Sequence, residues 1–289
     1  MAAPLGKQPM GKALVLGGGG NTGYAWQWGM LTGLHEAGVD LAGADLLIGT
    51  SAGALAAAHL ACGMDLRRQL EIMLSPPRRT DERTTPSQAP FAEALSALID
   101  SGKPAAEIRA RLGALALSAR AGPESTLREI VADYLPGTGW PGRRLLVTAV
   151  DAASGALATF GVGSGASLVD AVAASCALPG VWSPVTIGTR RYLDAIIRSP
   201  TNADLAAGYA RVVVLAPVPD IRGLPGAGVQ EQTAPVRAAG EVLVLSPDEG
   251  TRAALGRDPR DASRQPEAAR ASLAQSASVA GRVRELWDS

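Results

Sequence analysis

Histidine is nearly missing from this chain. The 289 residues hold two, His35 and His59, both in the first quarter. Histidine-built metal centres and any triad whose histidine follows its nucleophile late in the chain are thereby disfavoured from the start. Cysteine is equally scarce, with Cys62 and Cys176 only, which excludes a disulfide scaffold. Both are expected to be small buried apolar residues. No excess of either charge exists: Lys plus Arg and Asp plus Glu each count 27. A nucleic-acid partner, which calls for a basic surplus against phosphate, is not expected. Long apolar runs are also missing. The stretch Ala44 to Met64 comes nearest to a membrane span, but Gly49, Thr50, Ser51, Gly53 and His59 interrupt it. It reads instead as a buried strand running into a buried helix. The N-terminus lacks the apolar core of a signal peptide. A cytoplasmic location follows as the expectation, with transient peripheral membrane contact left open.

What the chain does have is an apolar content of 47% and a repeated strand-then-helix pattern. Lys12–Leu16 is a short aliphatic strand, followed by a helix from Gly23 to about Ala37. Asp45–Ile48 is a second strand, followed by a small-residue helix from Ala52 to about Cys62. Such units predict a mostly parallel sheet in an α/β fold. Proline-rich 75–90 reads as an exposed loop, in which Arg78, Arg79 and Arg83 form a basic patch broken by Asp81 and Glu82. Three amphipathic helices near 90–100, 104–117 and 124–134 follow. The segment 75–141 is therefore a helical excursion between core strands, readable as packing or as a lid. Strands resume at Leu145–Val150 and Ala156–Phe160, and a hairpin around Gly188 covers Val185–Leu193. Further strands fall at Arg211–Ala216 and Glu241–Leu245, and a helix closes the chain from about Pro266. A single domain over 1–289 is expected, with its core at 12–216 and a C-terminal strand and helices at 241–289.

Two turns carry chemistry. Gly17–Gly23 reads GGGGNTG between the first strand and helix, and includes Gly18, Gly20 and Gly23 at G-x-G-x-x-G spacing. Glycines there let backbone N–H groups converge on a phosphate or a developing oxyanion. A dinucleotide site would want an acidic residue at the end of the second strand, and that strand ends Ile48-Gly49-Thr50-Ser51. A Walker-type loop would want a lysine that is not there. The second turn, Gly49-Thr50-Ser51-Ala52-Gly53, is G-x-S-x-G between strand and helix, the setting of a nucleophile elbow. Ser51 is the candidate nucleophile.

Its base is harder to find. His59 lies eight residues along the same helix, roughly 12 Å away at about 1.5 Å per residue, and His35 sits near the far end of the first helix. Lys7, Lys12 and Lys103 belong to no motif. Asp151 and Asp194 remain, each at the end of a strand-like run. A carboxylate in a partly desolvated site can rise in pKa enough to take a serine proton as the transition state forms.

The glycine loop, GTSAG, the stretch Ala174-Ser175-Cys176-Ala177-Leu178-Pro179-Gly180-Val181-Trp182-Ser183-Pro184 and Tyr192-Leu193-Asp194 occur in that order. Together they resemble the patatin-like phospholipases, serine–aspartate lipid acyl hydrolases, over roughly residues 12 to 216. The resemblance implies a three-layer α/β sandwich with a mostly parallel central sheet, no metal or cofactor, and an acyl lipid as substrate. It implies that Ser51 is acylated, that Asp194 is the general base, and that Gly18, Gly19 and Gly20 supply oxyanion N–H groups. Gly49 and Gly53 shape the elbow, and Trp182 reads either as simple packing or as a wall of the acyl pocket. Two positions depart from the family. Thr22 stands where the loop often carries Arg or Lys, so a neutral ester fits as well as a phospholipid. Ala195 stands where Gly usually follows the aspartate, which suggests as the alternative a catalytically weak or inactive lipid-binding protein. Trp26 and Trp28, two residues apart, cannot share a helix face; partial packing is the expectation, with exposure of one of them to lipid as the alternative.

Overall fold

The computed structural model describes residues 10–76, 89–221, 223–224 and 226–289. The proline-rich loop and its Arg78, Arg79 and Arg83 patch lie almost wholly outside them. In chain order the elements are β1 (Met10–Leu16), α1 (Gly20–Glu36), β2 (Leu46–Gly49), α2 (Ala52–Ala61) and α3 (Leu66–Leu74). The excursion contributes α4 (Ala89–Asp100), α5 (Ala105–Ser118) and α6 (Glu124–Tyr134). Then come β3 (Leu145–Asp151), β4 (Leu157–Phe160), α7 (Leu168–Cys176), β5 (Val185–Ile187) and β6 (Arg190–Asp194). The chain ends through β7 (Tyr209–Leu215), α8 (Val229–Arg237), β8 (Glu241–Leu245), α9 (Glu249–Leu255) and α10 (Gln265–Trp287).

The strands form one mixed sheet in the order β5-β6-β3-β2-β1-β7-β8, with β4 also pairing β3. β3, β2, β1, β7 and β8 run parallel, while β4 and β6 run antiparallel to β3. The three-layer α/β expectation holds, and alternation along the strands explains it. Leu14, Leu16, Leu47, Val213 and Leu215 point to one face and join Tyr24, Trp26 and Trp28 of α1. Ala13, Val15, Ile48, Val212 and Val214 point to the other and pack with Val229 and Val236 of α8. With a side-chain period of two, each strand feeds both cores.

The chain leaves β1 toward β2 on one side and returns beside it as β7 on the other. Such a switch in strand order opens a crevice at the carboxyl ends of the central strands, where ligands bind in open α/β sheets. Both candidate turns leave the sheet at that edge.

The excursion is packed against the core. Ile108, Leu112 and Ala116 of α5 join Val150, Leu193 and Ala195 in a third apolar cluster. Two expectations fail here. Trp26 and Trp28 are both fully buried, because α1 is covered by the sheet on one side and by α10 on the other. Gly29 and Gly33 permit that cover: a Cβ at either would collide with the Ser272 or Ser276 hydroxyl of α10. Cys62, at the end of α2, is exposed rather than buried. The apolar run from Ala44 does split into β2 and α2. No helix among the described residues is long and apolar enough to cross a membrane.

Candidate active site

Ser51 sits between β2 and α2 with φ 55° and ψ −128°, a conformation costly for a residue with a side chain. Strain of this kind is typically worth about 1–3 kcal/mol and persists only where the surroundings hold it. Here they do. The Thr50 N–H donates to the Leu16 carbonyl at 3.0 Å, and the Gly53 N–H donates to the Thr50 carbonyl at 2.9 Å. The Ser51 N–H donates to the Ser175 hydroxyl of α7 at 2.8 Å. Gly49 and Gly53 are both required sterically. A Cβ at Gly49 would lie 2.7 Å from the Gly53 carbonyl oxygen, and one at Gly53 would press on the Leu16 and Gly17 carbonyls.

Below the elbow lies a buried polar network that motif reading does not reveal. The Thr50 and Thr148 hydroxyls are 2.9 Å apart, and the Asn202 amide donates to the Thr50 hydroxyl at 3.0 Å. Asn202 is left-handed, at φ 50° and ψ 38°, which its short polar side chain tolerates. Arg198 donates to the Asn202 amide oxygen at 2.7 Å and to the Asp204 carboxylate at 2.6 Å. Ser175, Thr148 and Asn202 are thus the positioning residues that sequence reasoning missed. Ser175 lies inside the motif stretch, but nothing in its spacing says that it holds the Ser51 amide.

Asp194 ends β6 opposite Ala149 of β3, which brings it beside the elbow of neighbouring β2. Its N–H donates to the Ala177 carbonyl at 3.1 Å, and its Oδ1 accepts the Ile196 N–H at 2.9 Å. The carboxylate is buried, and that burial pushes its pKa up to about 7, against the lowering effects of the Ser51 hydroxyl and the Ile196 N–H. The hydroxyl therefore lies near enough to stabilise the carboxylate. The pair nonetheless makes no hydrogen bond of ordinary distance and angle in this structure. The neighbouring Cys176 thiol is pushed up by its own burial and then by the Asp194 charge, so it stays neutral.

Asp151 is disposed otherwise. Burial raises its pKa, but the Ser154 N–H and hydroxyl, Arg190 and the Ala153 N–H more than offset this. It is a tied turn carboxylate, 3.1 Å from the Arg190 guanidinium. His59 is likewise spent. Its Nε2 donates to the Tyr134 carbonyl and its Nδ1 accepts the Tyr24 hydroxyl, both at 2.7 Å. A carbonyl can only accept, so that pairing fixes the neutral tautomer, and burial lowers the pKa further from protonation. The histidine joins α6 to α2.

The N–H groups of the glycine loop divide among different surroundings. Gly18 packs on the elbow: a Cβ there would lie 3.2 Å from that of Ser51. Its N–H, expected in the oxyanion hole, instead donates to the Pro200 carbonyl at 2.8 Å. The N–H groups of Gly19 and Gly20 have no partner among the described residues. Gly23 serves the helix, donating to the Gly19 carbonyl at 2.9 Å. Trp182 is accounted for by packing: its ring lies on Gly122, whose hypothetical Cβ would sit 2.6 Å from it, and backbone bonds join the two segments. No described contact brings it to Ser51. Among the described residues no group of three or more His, Cys, Asp or Glu is placed to hold a metal ion.

Ala195 imposes no backbone strain. Among the described residues the positive-φ positions other than glycine are Ser51 and Asn202, and Ala195 opens a short 3-10 turn with its methyl buried. Ala195→Gly is therefore expected to leave kcat/KM within about threefold and to cost about 1 kcal/mol of stability, since glycine loses more freedom on folding. Denaturant melts and ester turnover on the two proteins check this; a large gain in turnover would contradict it.

A strained serine on a strand–turn–helix elbow thus stands beside a buried carboxylate at the switch point of a mostly parallel sheet in an α/β protein. The family profile described as patatin-like phospholipase matches residues 14–207. The chain belongs to the patatin-like phospholipase family, and so by class to the lipid acyl hydrolases. Among solved structures it is similar to VipD from Legionella pneumophila, at 14% identity, over 95% of this chain and 67% of that one, with a TM-score of 0.46. It is also similar to the type III effector protein ExoU, at 19% identity, over 94% of this chain and 54% of that one, with a TM-score of 0.38. A further likeness is to ExoU in complex with SpcU from Pseudomonas aeruginosa, at 15% identity, over 98% of this chain and 54% of that one, with a TM-score of 0.40. The chain thus spans little more than half of the ExoU chain. No curated protein matches it.

Proposed function

We propose that this protein hydrolyses carboxylic ester bonds of acyl lipids, with Ser51 as nucleophile and Asp194 as general base. The observation that carries the reading is the strained Ser51 beside a buried carboxylate whose pKa is raised to about 7. Asp194 accepts the hydroxyl proton as Ser51 Oγ attacks the ester carbonyl. The oxyanion takes the Gly19 and Gly20 N–H groups, with the start of α1 behind them. The leaving alcohol departs with the proton that Asp194 took from Ser51, and the acyl-enzyme is opened by a water whose proton Asp194 accepts and returns to Ser51 Oγ as the acid leaves. The inactive-protein alternative rested on Ala195 and Thr22, and the unstrained backbone at Ala195 removes half of its support.

The test is a fluorophosphonate probe together with a p-nitrophenyl ester, on wild type and Ser51→Ala. Wild type is expected to be labelled and active, and Ser51→Ala neither. Equal labelling of the two would remove Ser51 from the mechanism.

A further inference from the structure

The segment 194–202 touches all three parts of the candidate active site. It begins with Asp194, whose Oδ1 accepts the Ile196 N–H at 2.9 Å. Its Pro200 carbonyl takes the Gly18 N–H of the glycine loop at 2.8 Å. It ends at Asn202, whose amide donates to the Thr50 hydroxyl of the elbow at 3.0 Å and to the Ser199 carbonyl at 2.8 Å. Arg198 stands in the middle of the segment with its side chain 18% exposed. Its Nη1 donates to Asn202 Oδ1 at 2.7 Å and to Gln232 Oε1 at 3.3 Å. Nη1 and Nη2 together fork onto the Asp204 carboxylate at 3.0 and 2.6 Å. No described contact brings Arg198 to Ser51 itself.

A guanidinium can only donate, and that fixes the direction of everything it touches. Asn202 must turn its oxygen to Arg198 and its NH2 to Thr50. The Thr50 hydroxyl, already accepting that amide proton, gives its own proton to the Thr148 hydroxyl at 2.9 Å. The Thr201 carbonyl, at 3.5 Å, is the weaker acceptor. Thr148 gives its proton to the Gly49 carbonyl at 3.2 Å. Hydrogen bonds therefore run one way, from Arg198 through Asn202, Thr50 and Thr148 to Gly49, and Gly49 and Thr50 are the two residues before Ser51. Thr50, Thr148 and Asn202 are fully buried, so water cannot satisfy a proton that points the wrong way. The chain also joins two strained places. Among the described residues Ser51 and Asn202 are the non-glycine positions of positive φ, one at each end of it, and such strain persists only where the surroundings hold it. A cation at this place has a cost, since Arg109 of α5 is near enough to feel its charge. The fork onto Asp204 offsets that repulsion and aims the remaining donor at Asn202.

We infer that Arg198 is a positioning residue of the active site: by donating to Asn202 it sets the direction of the buried chain that holds the elbow, and with it Ser51, in its strained conformation. The effect on rate rests on the hydrolase reading of Ser51; the effect on the elbow does not.

The test compares the full chain as wild type, Arg198→Met and Arg198→Lys. Amide hydrogen exchange is followed in the elbow and in α10, and kcat and KM for a p-nitrophenyl ester are measured on the same material. In wild type the Thr50, Ser51 and Gly53 N–H groups are all bonded, and slow exchange is expected. Methionine keeps the apolar stem and removes every donor. Elbow exchange is then expected to quicken by about tenfold or more while α10 is unchanged. The kcat is expected to fall by about tenfold or more, with KM within about twofold, since the reacting groups are displaced and the substrate contacts are not. Lysine also can only donate but lacks the fork, so Arg198→Lys is expected to fall between the two. A merely structural role would quicken exchange in the elbow and α10 alike and leave kcat per folded molecule unchanged, and that result overturns the inference. So does wild-type elbow exchange in Arg198→Met, or a lysine variant no better than the methionine one. If Arg198→Met does not fold, Arg198→Lys decides alone: faster exchange confined to the elbow supports the inference, and wild-type exchange there overturns it. If the elbow responds as expected but wild type cleaves no ester, the role of Arg198 stands and the hydrolase reading falls.

Discussion

Asp194→Asn is expected to lower kcat/KM for an ester by about 10³-fold or more, the loss usual for removing a general base from an otherwise intact site. The same substitution is expected to stabilise the fold at alkaline pH. The folded carboxyl titrates near 7 because burial raises it from the ordinary 3.8. Between those values the folded chain holds a proton that the unfolded chain has released. The stability tied to this group is therefore fully present below about pH 4 and is lost as pH rises through 7. The gap sets an upper bound of roughly 4 kcal/mol, at about 1.4 kcal/mol per pH unit. Asparagine stays neutral throughout, and its carbonyl can still accept the Ile196 N–H. A Tm gain of roughly 4–10 °C at pH 8, shrinking toward zero near pH 4, is the expected signature. Wild-type kcat/KM should correspondingly rise about tenfold per pH unit below 7 and level off above it, because only ionised Asp194 accepts the serine proton. A flat profile from pH 5 to 8 with unchanged stability in Asp194→Asn would mean that this carboxyl is neither the base nor held protonated.

The scarcity of histidine, which made a serine mechanism look short of a base, becomes intelligible at this site. His59 is on the nucleophile's own helix, but it is turned toward Tyr24 and Tyr134 and is held neutral as a bond between elements. The buried Asp194 carboxylate, pushed up to about 7, has a proton affinity near that of imidazole, and the proposed mechanism uses it in that place.

Much of this site could be read without coordinates, and the reason is local. Gly49, Ser51 and Gly53 are demanded by backbone geometry within one turn, so their identities advertise the turn. Asp194 is legible as the end of a strand that follows a hairpin. Ser175 and Asn202 are not, because their roles exist only across the fold: one reaches Ser51 from α7, and the other reaches Thr50 from a loop 152 positions away. The strands were legible from alternation, but α8 carries Pro235 in its body and is not among the helices that the pattern predicts. Burial of both Trp26 and Trp28 was also hidden. A helix face is counted as exposed until its cover is known, and α10 lies more than two hundred residues further on.

Gly53→Ala is the most damaging single methyl this site can receive. Its new Cβ would sit 2.5 Å from the Gly17 carbonyl oxygen and closer still to that of Leu16. Neither atom can yield cheaply. Leu16 ends the central strand, and its carbonyl accepts the Thr50 N–H that shapes the elbow. Gly17 donates to Leu215 of β7 on the other side. Relief would require moving α2 away from β1, which would open the contact of Gly18 with Ser51 and release the amides above it. A loss of roughly 3–5 kcal/mol is expected, at the severe end for point substitutions and well above the effect of Ala195→Gly. Any folded fraction should turn over esters at least about 10²-fold more slowly, since displacement of reacting groups by about an ångström is that costly. Chemical denaturation and single-turnover acylation measured on the folded material separate the two effects. Near-wild-type stability would show that α2 can shift freely, and that the small residues of GTSAG are not what holds Ser51 in its strained conformation.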